Sequence, residues 1–275
     1  MSVFGLEGLP LIKPGDDLAD LIVSLTKSND IEIKDGDIIV IAQKVVSKAE
    51  NRVVQLDEVN PSEKAWRIAA ETGKNPKLAE LILRESKRFL KTSQQTIIVE
   101  DQRGIVNINA GIDKSNVKGI RCYALLPKNP DESARHLRSR IMALTGRRVG
   151  IIISDTYSRA FRRGQVNFAI GLAGIAPFFD YRGSEDLFGY VMQVKFTAIA
   201  DELACAAELV MGQGKEGVPV AIIKGSHGMS FSEEHTFKDL VIGEKDDLFR
   251  DVWRSHHDSK HINHKTKDKP KGANH

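Results

Sequence analysis

Asp155 and Thr156 follow an apolar run, Val149 to Ser154, and are followed closely by Arg159, Arg162 and Arg163. A carboxylate and a hydroxyl beside several guanidinium groups suit a divalent cation together with the phosphates or carboxylates it helps to hold. Internal salt bridging is the plainer use of these residues, but a buried strand running into an Arg-rich, Gly-ended loop is an awkward way to build a surface. Asn107 to Asn116 form a second such segment, in which Asp113 follows a strand and a glycine. Hard cations such as Mg²⁺ and Mn²⁺ take oxygen ligands, commonly one or two carboxylates plus substrate phosphates, and Asp113 can supply one. The alternative is a turn in which Asp113 and Asn116 bond their own backbone.

Two further segments suit anions. Met211-Gly212-Gln213-Gly214-Lys215-Glu216-Gly217 leaves backbone amides free to face phosphate oxygens and adds the point charge of Lys215. It is read as neither a Walker A loop nor a Rossmann turn, and a plain connector remains open. Gly8 to Ile12, together with the strand end Ala42-Gln43-Lys44 and the nearby Lys48, gives the fourth, although lysines after a strand are often only solvated.

These residues must be positioned by alternating short apolar runs and amphipathic helices, the pattern of a mixed α+β fold. Asp37 to Ala42 reads as a buried strand after the turn Lys34-Asp35-Gly36. Pro61-Ser62-Glu63 opens a helix with Pro in its first turn, and a second helix is predicted from Pro76 to Leu90. Strands follow near Thr96 to Glu100 and Ile105 to Asn109. Asp131 is predicted to cap a helix that buries Ala134, Leu137, Ile141 and Leu144 and ends at Gly146. Val149 to Ser154 lacks polar alternation, so both its faces should be covered, with Asp155-Thr156 delivered at its C-terminal end. Met192 to Ala200 reads as a strand, Asp201 to Met211 as a helix and Val218 to Ile223 as a strand. A boundary between two lobes falls near Leu56 to Ser62 or near Pro127 to Pro130.

Composition excludes several classes. With 275 residues, 41% of them hydrophobic, the chain can bury a large core, and no stretch approaches the roughly 20 apolar residues of a membrane span. The start MSVFGLEGLP lacks the features of a secretory signal, which predicts a cytoplasmic protein. Cys122 and Cys205 lie far apart without CxxC spacing, as expected of core residues in a reducing compartment. A formal charge of +3, spread along the chain, gives no sign of nucleic-acid binding. Residues 254–275, rich in Lys, His and Asp, read as a disordered tail after a domain of residues 1–253. His256, His257, His261 and His264 in that tail have no fixed scaffold on which to hold a metal.

EGLPLI, VSKAE, NAGIDKSNV, SDTYSRAFRRG and MGQGKEGVP, in this order from Gly5 to Gly225, resemble the motif set of the F420-0:L-glutamate ligases. That resemblance implies a two-lobed α+β fold and a GTP-dependent enzyme that adds L-glutamate to the coenzyme F420 precursor F420-0. It further implies Mn²⁺ or Mg²⁺ at two sites, activation by K⁺ and a homodimer. By motif, Asp113 and Asp155 would ligate one metal, and Thr156 and Gln213 would contact the second. GTP would lie against Leu9, Pro10, Leu11 and Ile12, against Gln43, Lys44, Lys48 and Asn116, and against the loop from Met211 through Gly212, Gln213, Gly214, Lys215, Glu216 and Gly217 to Val218. Tyr157-Ser158 stands where relatives have smaller residues and so bears on the substrate mouth. The flavin-binding domain fused to this ligase in some bacteria is missing, so no FMN is expected. Arg162, with Arg159 and Arg163, is the residue-based candidate for gripping the acidic substrate.

Three other readings share parts of this pattern. A ligase acting on a different carboxylate keeps the chemistry, whereas a non-catalytic GTP-binding regulator has no use for two aspartates at separate strand ends. Nucleic-acid binding through the tail would weaken steeply with salt.

Overall fold

The computed structural model describes residues 1–159, 161–226, 230–243 and 245–247. The tail predicted at 254–275, with its histidines, lies outside these residues. Residues Met1–Leu240 form one compact unit.

The first part of the chain runs β1 (Ser2–Gly5), α1 (Leu18–Ser28), β2 (Ile38–Ala42), α2 (Gln43–Ala49), β3 (Val53–Gln55), α3 (Glu63–Thr72) and α4 (Pro76–Arg84). Next come β4 (Ser86–Ser93), β5 (Thr96–Asp101), β6 (Val106–Ile108), β7 (Cys122–Ala124) and α5 (Pro130–Thr145). The remainder is β8 (Gly150–Ser158), β9 (Gln165–Ala173), β10 (Phe179–Asp180), β11 (Phe196–Thr197), α6 (Ile199–Met211) and β12 (Val220–Lys224).

Five strands in the order β1-β12-β2-β8-β9 make the central sheet, with β2 and β8 parallel and the other pairs antiparallel. Side chains alternate across it. Ile39, Ile41, Ile151 and Ile153 pack with Leu18, Ile22, Leu137 and Ile141 of α1 and α5 on one face. On the other, Ile38, Val40, Ile152 and Ile223 meet Leu203 and Ala207 of α6. This two-sided burial explains the unbroken apolar reading of both strands. At Gly171 in β9 a Cβ would come within 2.5 Å of the Pro130 backbone, so glycine lets α5 sit close against the sheet.

A smaller lobe lies between α2 and α5 in sequence. Here α3 and α4 cover the sheet β4-β5-β6 around Ala65, Ile68, Ala79, Ile82, Ile97 and Val99. Leu56 to Ser62 lead from β3 toward α3, and Pro127 to Pro130 lead into α5.

Several local expectations are corrected. Ser62 is the N-cap of α3 and accepts the Ala65 amide, which leaves Pro61 outside the helix. The second helix stops at Arg84, and residues 86–90 begin β4, because pairing with β5 outweighs their helical preference. Asn129, not Asp131, caps α5, and Leu144 is exposed. The strand bearing Asp155 and Thr156 continues to Ser158, paired with β9. Only Phe196–Thr197 of the stretch 192–200 are strand, since α6 starts at Ile199. Both cysteines are half-buried rather than in the core.

Candidate active site

The C-terminal ends of the parallel strands β2 and β8 lie side by side, Ala42 opposite Ser154. Beyond them opens a cavity of about 370 Å³. Its wall comes from four separate parts of the chain: Leu9 to Ile12, Ala42 to Val45 with Lys48 of α2, Asn116, and Met211 to Pro219 between α6 and β12. Ser154, Asp155, Thr156 and Asn167 form the side supplied by β8 and β9. Every residue expected to touch nucleotide therefore borders this one cavity.

Hydrogen bonds tie the segments together. Asn116, at φ 55°, donates from Nδ2 to the Gly214 carbonyl at 2.9 Å, and Lys48 Nζ donates to the Asn116 carbonyl at 2.8 Å. Burial, helped by the like charge of Lys44, lowers the Lys48 pKa below its ordinary value. The glycine loop curls on itself, the Gly214 amide donating to Glu216 at 2.7 Å. Gly212 takes φ 68°, and a Cβ there would meet the Glu216 carboxylate at 2.5 Å. The loop does spell G-x-G-x-x-G, but it leads from helix to strand, the reverse of the strand-to-helix context of a dinucleotide turn.

Asp113 is outside the cavity lining but joins it through Lys44, whose ammonium lies 2.7 Å from Asp113 Oδ2 and 2.6 Å from Ser115 Oγ. Its carboxylate also accepts the Ser115 amide at 2.7 Å and the Ser115 hydroxyl at 2.9 Å, so the turn role and the partnership with Lys44 coexist. Burial acts to raise its pKa, but Lys44 and Ser115 outweigh that and hold it low. Asp155 is half-buried, and the protein packed around its carboxyl raises its pKa to about 6, with Lys44 countering and Asp113 reinforcing the rise. A second oxygen cluster surrounds Thr156, whose hydroxyl is 3.0 Å from Gln213 Oε1 and 3.2 Å from Asn167 Oδ1. Gln213 is fixed in turn by Glu208 at 2.6 Å.

One carboxylate ion-paired with Lys44 and a second within the field of that ammonium, and a hydroxyl facing two amide oxygens, are all-oxygen donor sets that fit a hard divalent cation. No group of three or more His, Cys, Asp or Glu residues arranged for a metal occurs among the described residues. Such a site would therefore need substrate phosphates to complete it. Arg162 and Arg163 are exposed in the turn between β8 and β9 and do not line the cavity, while Arg159 donates to the Arg163 carbonyl at 3.2 Å. Sequence reasoning missed Asn167, because β9 has no apolar run before Phe168, and missed the bracing role of Glu208 on an otherwise ordinary helix.

Residues 8–225 match the family described as F420-0:Gamma-glutamyl ligase. The chain belongs to this family. Named family relatives are similar over nearly their whole length. The Coenzyme F420:L-glutamate ligase of Methanothermobacter thermautotrophicus is 44% identical over 250 residues, covering 91% of this chain and 99% of that protein. The protein of the same name from Methanocaldococcus jannaschii is 45% identical over 253 residues, 91% of this chain and 97% of its own length. That of Archaeoglobus fulgidus is 43% identical over 250 residues, 91% and 96% respectively. Among the described residues no helix is long and apolar enough to cross a membrane.

Proposed function

We propose that this chain joins L-glutamate to the coenzyme F420 precursor F420-0, forming GDP and phosphate from GTP by way of an acyl phosphate. The names of its relatives support the ligase and its substrates. The observation that carries the mechanism is the cavity itself, where a glycine loop, Lys48 and Asn116 meet Asp155 and Thr156 at the ends of two parallel strands.

The loop amides and Lys48 cradle the nucleotide phosphates, and Leu9 to Ile12 cover the nucleotide. A carboxylate oxygen of F420-0 forms a bond to the γ-phosphorus while the bond to the GDP oxygen breaks. The glutamate nitrogen then attacks the acyl carbon, phosphate leaves with the bonding pair, and the nitrogen gives up a proton. Asp113 and Asp155, and Thr156 with Gln213, would hold Mn²⁺ or Mg²⁺, which when bound would neutralise charge on the transferring group. Arg162 on the exposed turn is free to reach toward an acidic substrate that approaches from solvent. A cytoplasmic location, K⁺ and a homodimer belong to the same reading.

The test is phosphate release from GTP by purified protein with Mn²⁺ and L-glutamate, with and without F420-0, followed by mass analysis. Release that needs both substrates, with a product heavier by glutamyl units, is the expected result. GTP turnover without that product would overturn the assignment of the acceptor.

A further inference from the structure

The oxygen cluster around Thr156 has a count of donors and acceptors that does not close. Thr156 and Asn167 face each other across β8 and β9, and both line the cavity together with Gln213. The Thr156 hydroxyl carries one hydrogen, yet it lies 3.0 Å from Gln213 Oε1 and 3.2 Å from Asn167 Oδ1, so only one of these oxygens can receive it. What turns both oxygens inward is set behind the site, on α6. Glu208 accepts from Gln213 Nε2 through Oε1 at 2.6 Å and from the Asn167 backbone amide through Oε2 at 2.9 Å. A carboxylate only accepts, so it holds the amino end of the Gln213 carboxamide and directs Oε1 at Thr156. Gln213 Nε2 also lies 3.4 Å from Asn167 Oδ1, and Asn167 Nδ2 lies 3.4 Å from Ser154 Oγ, which keeps the Asn167 amide hydrogens away from the cluster. The half-buried Glu208 has no Lys or Arg paired with it among the described residues.

Three oxygens with a single hydrogen among them, backed by a carboxylate that no side-chain cation neutralises, form a site for a positive ion. We propose that Asn167 Oδ1 is a third oxygen ligand of the cation assigned above to Thr156 and Gln213, and that Glu208 is the positioning residue that turns both carboxamide oxygens onto it. This assignment rests on the two-cation reading above and adds to it a ligand and the group that orients the set. Glu208 does not touch the ion. It acts by fixing which end of Gln213 faces the cavity and by holding the backbone that carries Asn167.

The test counts Mn²⁺ bound per chain by equilibrium dialysis against Mn²⁺ and GTP, with F420-0 and L-glutamate left out. The parent chain should take up two ions. Glu208→Gln still accepts the Asn167 amide through its oxygen, but it offers Gln213 a donor, so Gln213 rotates and presents Nε2 to Thr156. The second Mn²⁺ should then bind about 10–100-fold more weakly while the first is unchanged. Glu208→Gln combined with Gln213→Glu reverses the pair at the same net charge, keeps an oxygen toward the cavity and should bring the second ion back. Asn167→Asp places a charged oxygen where the carboxamide oxygen stood and should bind that ion more tightly than the parent. Parental binding by Glu208→Gln, no recovery in the reversed pair, or unchanged or weaker binding by Asn167→Asp overturns this assignment alone. If Glu208→Gln fails to fold, as read by its melting curve, the other two variants decide. A parent chain that takes up one ion has no second site, and one that takes up none removes the two-cation reading as well. Glutamyl product is measured separately, so loss of the ligase reading is distinguished from loss of this site.

Discussion

Lys44 stands between two carboxylates that the sequence places far apart, ion-paired with Asp113 at 2.7 Å and acting on Asp155 through space. The pair responds in opposite ways, since Asp113 is held below the ordinary range while Asp155 is raised to about 6. A raised folded-state pKa means that folding favours protonated Asp155. That contribution is full below the unfolded carboxylate pKa and is lost as pH rises through about 6. Metal-free protein should therefore carry an unfavourable charge at neutral pH that a bound cation relieves. Thermal stabilisation by Mn²⁺ should be small at pH 5 and large at pH 7, as read by melting curves with and without the metal. Asp155→Asn should abolish turnover, flatten that pH dependence and leave the metal-free melting temperature at neutral pH equal to or above that of the parent chain. A variant that retains parental turnover would remove Asp155 from the chemistry.

At the scale of elements, β9 has to be both a sheet edge and a wall of the site. Its outward amides are met by carboxylates from the covering helices instead of by another strand. Glu208 and Asp201 of α6 accept from Asn167 and Ala169, each at 2.9 Å, and Asp131 of α5 accepts from Leu172 at 2.9 Å and Phe237 at 3.0 Å. This protects the edge and fixes Asn167 against Thr156. Burial raises the Asp201 pKa despite the Ala169 hydrogen bond, so its ionised form costs stability that grows as pH rises through its folded pKa. Asp201→Asn keeps an acceptor for the Ala169 amide without the charge, and should melt higher than the parent at neutral pH, with the difference shrinking in acid. Asp201→Ala orphans that amide and should cost about 1–3 kcal/mol in denaturant unfolding. None of this bracing is legible in the sequence, where Asp131 reads as a cap and Asp201 as a helix start. Local signals located β2, β8, α5 and the glycine loop because apolar runs and turn glycines are written in consecutive residues. They overextended α4 into β4, since strand pairing is decided by a distant partner. The cavity was legible as separate motifs, and its closure through Asn116 and Gly214 is a tertiary fact that no local pattern carries.

At the scale of the whole molecule, the described residues include a surface that a solitary chain has little reason to keep. Between β10 and β11 a turn is organised by Asp186, which accepts the Phe188 and Tyr190 amides at 2.8 and 3.0 Å. Glu185 bridges to Val191 across its base. Leu187 and Phe188 at its tip are 96% and 95% exposed, and Val194 is 83% exposed. Large apolar groups held outward on an ordered turn are a feature of association surfaces. A homodimer, part of the functional reading proposed above, gives them a partner whose matching surface arises by two-fold symmetry. Leu187→Glu with Phe188→Glu removes the apolar tip while leaving the Asp186 turn intact. In light scattering after size exclusion the parent chain should run at twice the mass of one 30.5 kDa chain, and the double variant should shift toward a single chain. A double variant that remains dimeric would place the interface on another face of the molecule. A parent chain that is monomeric would remove the dimer from the functional reading altogether.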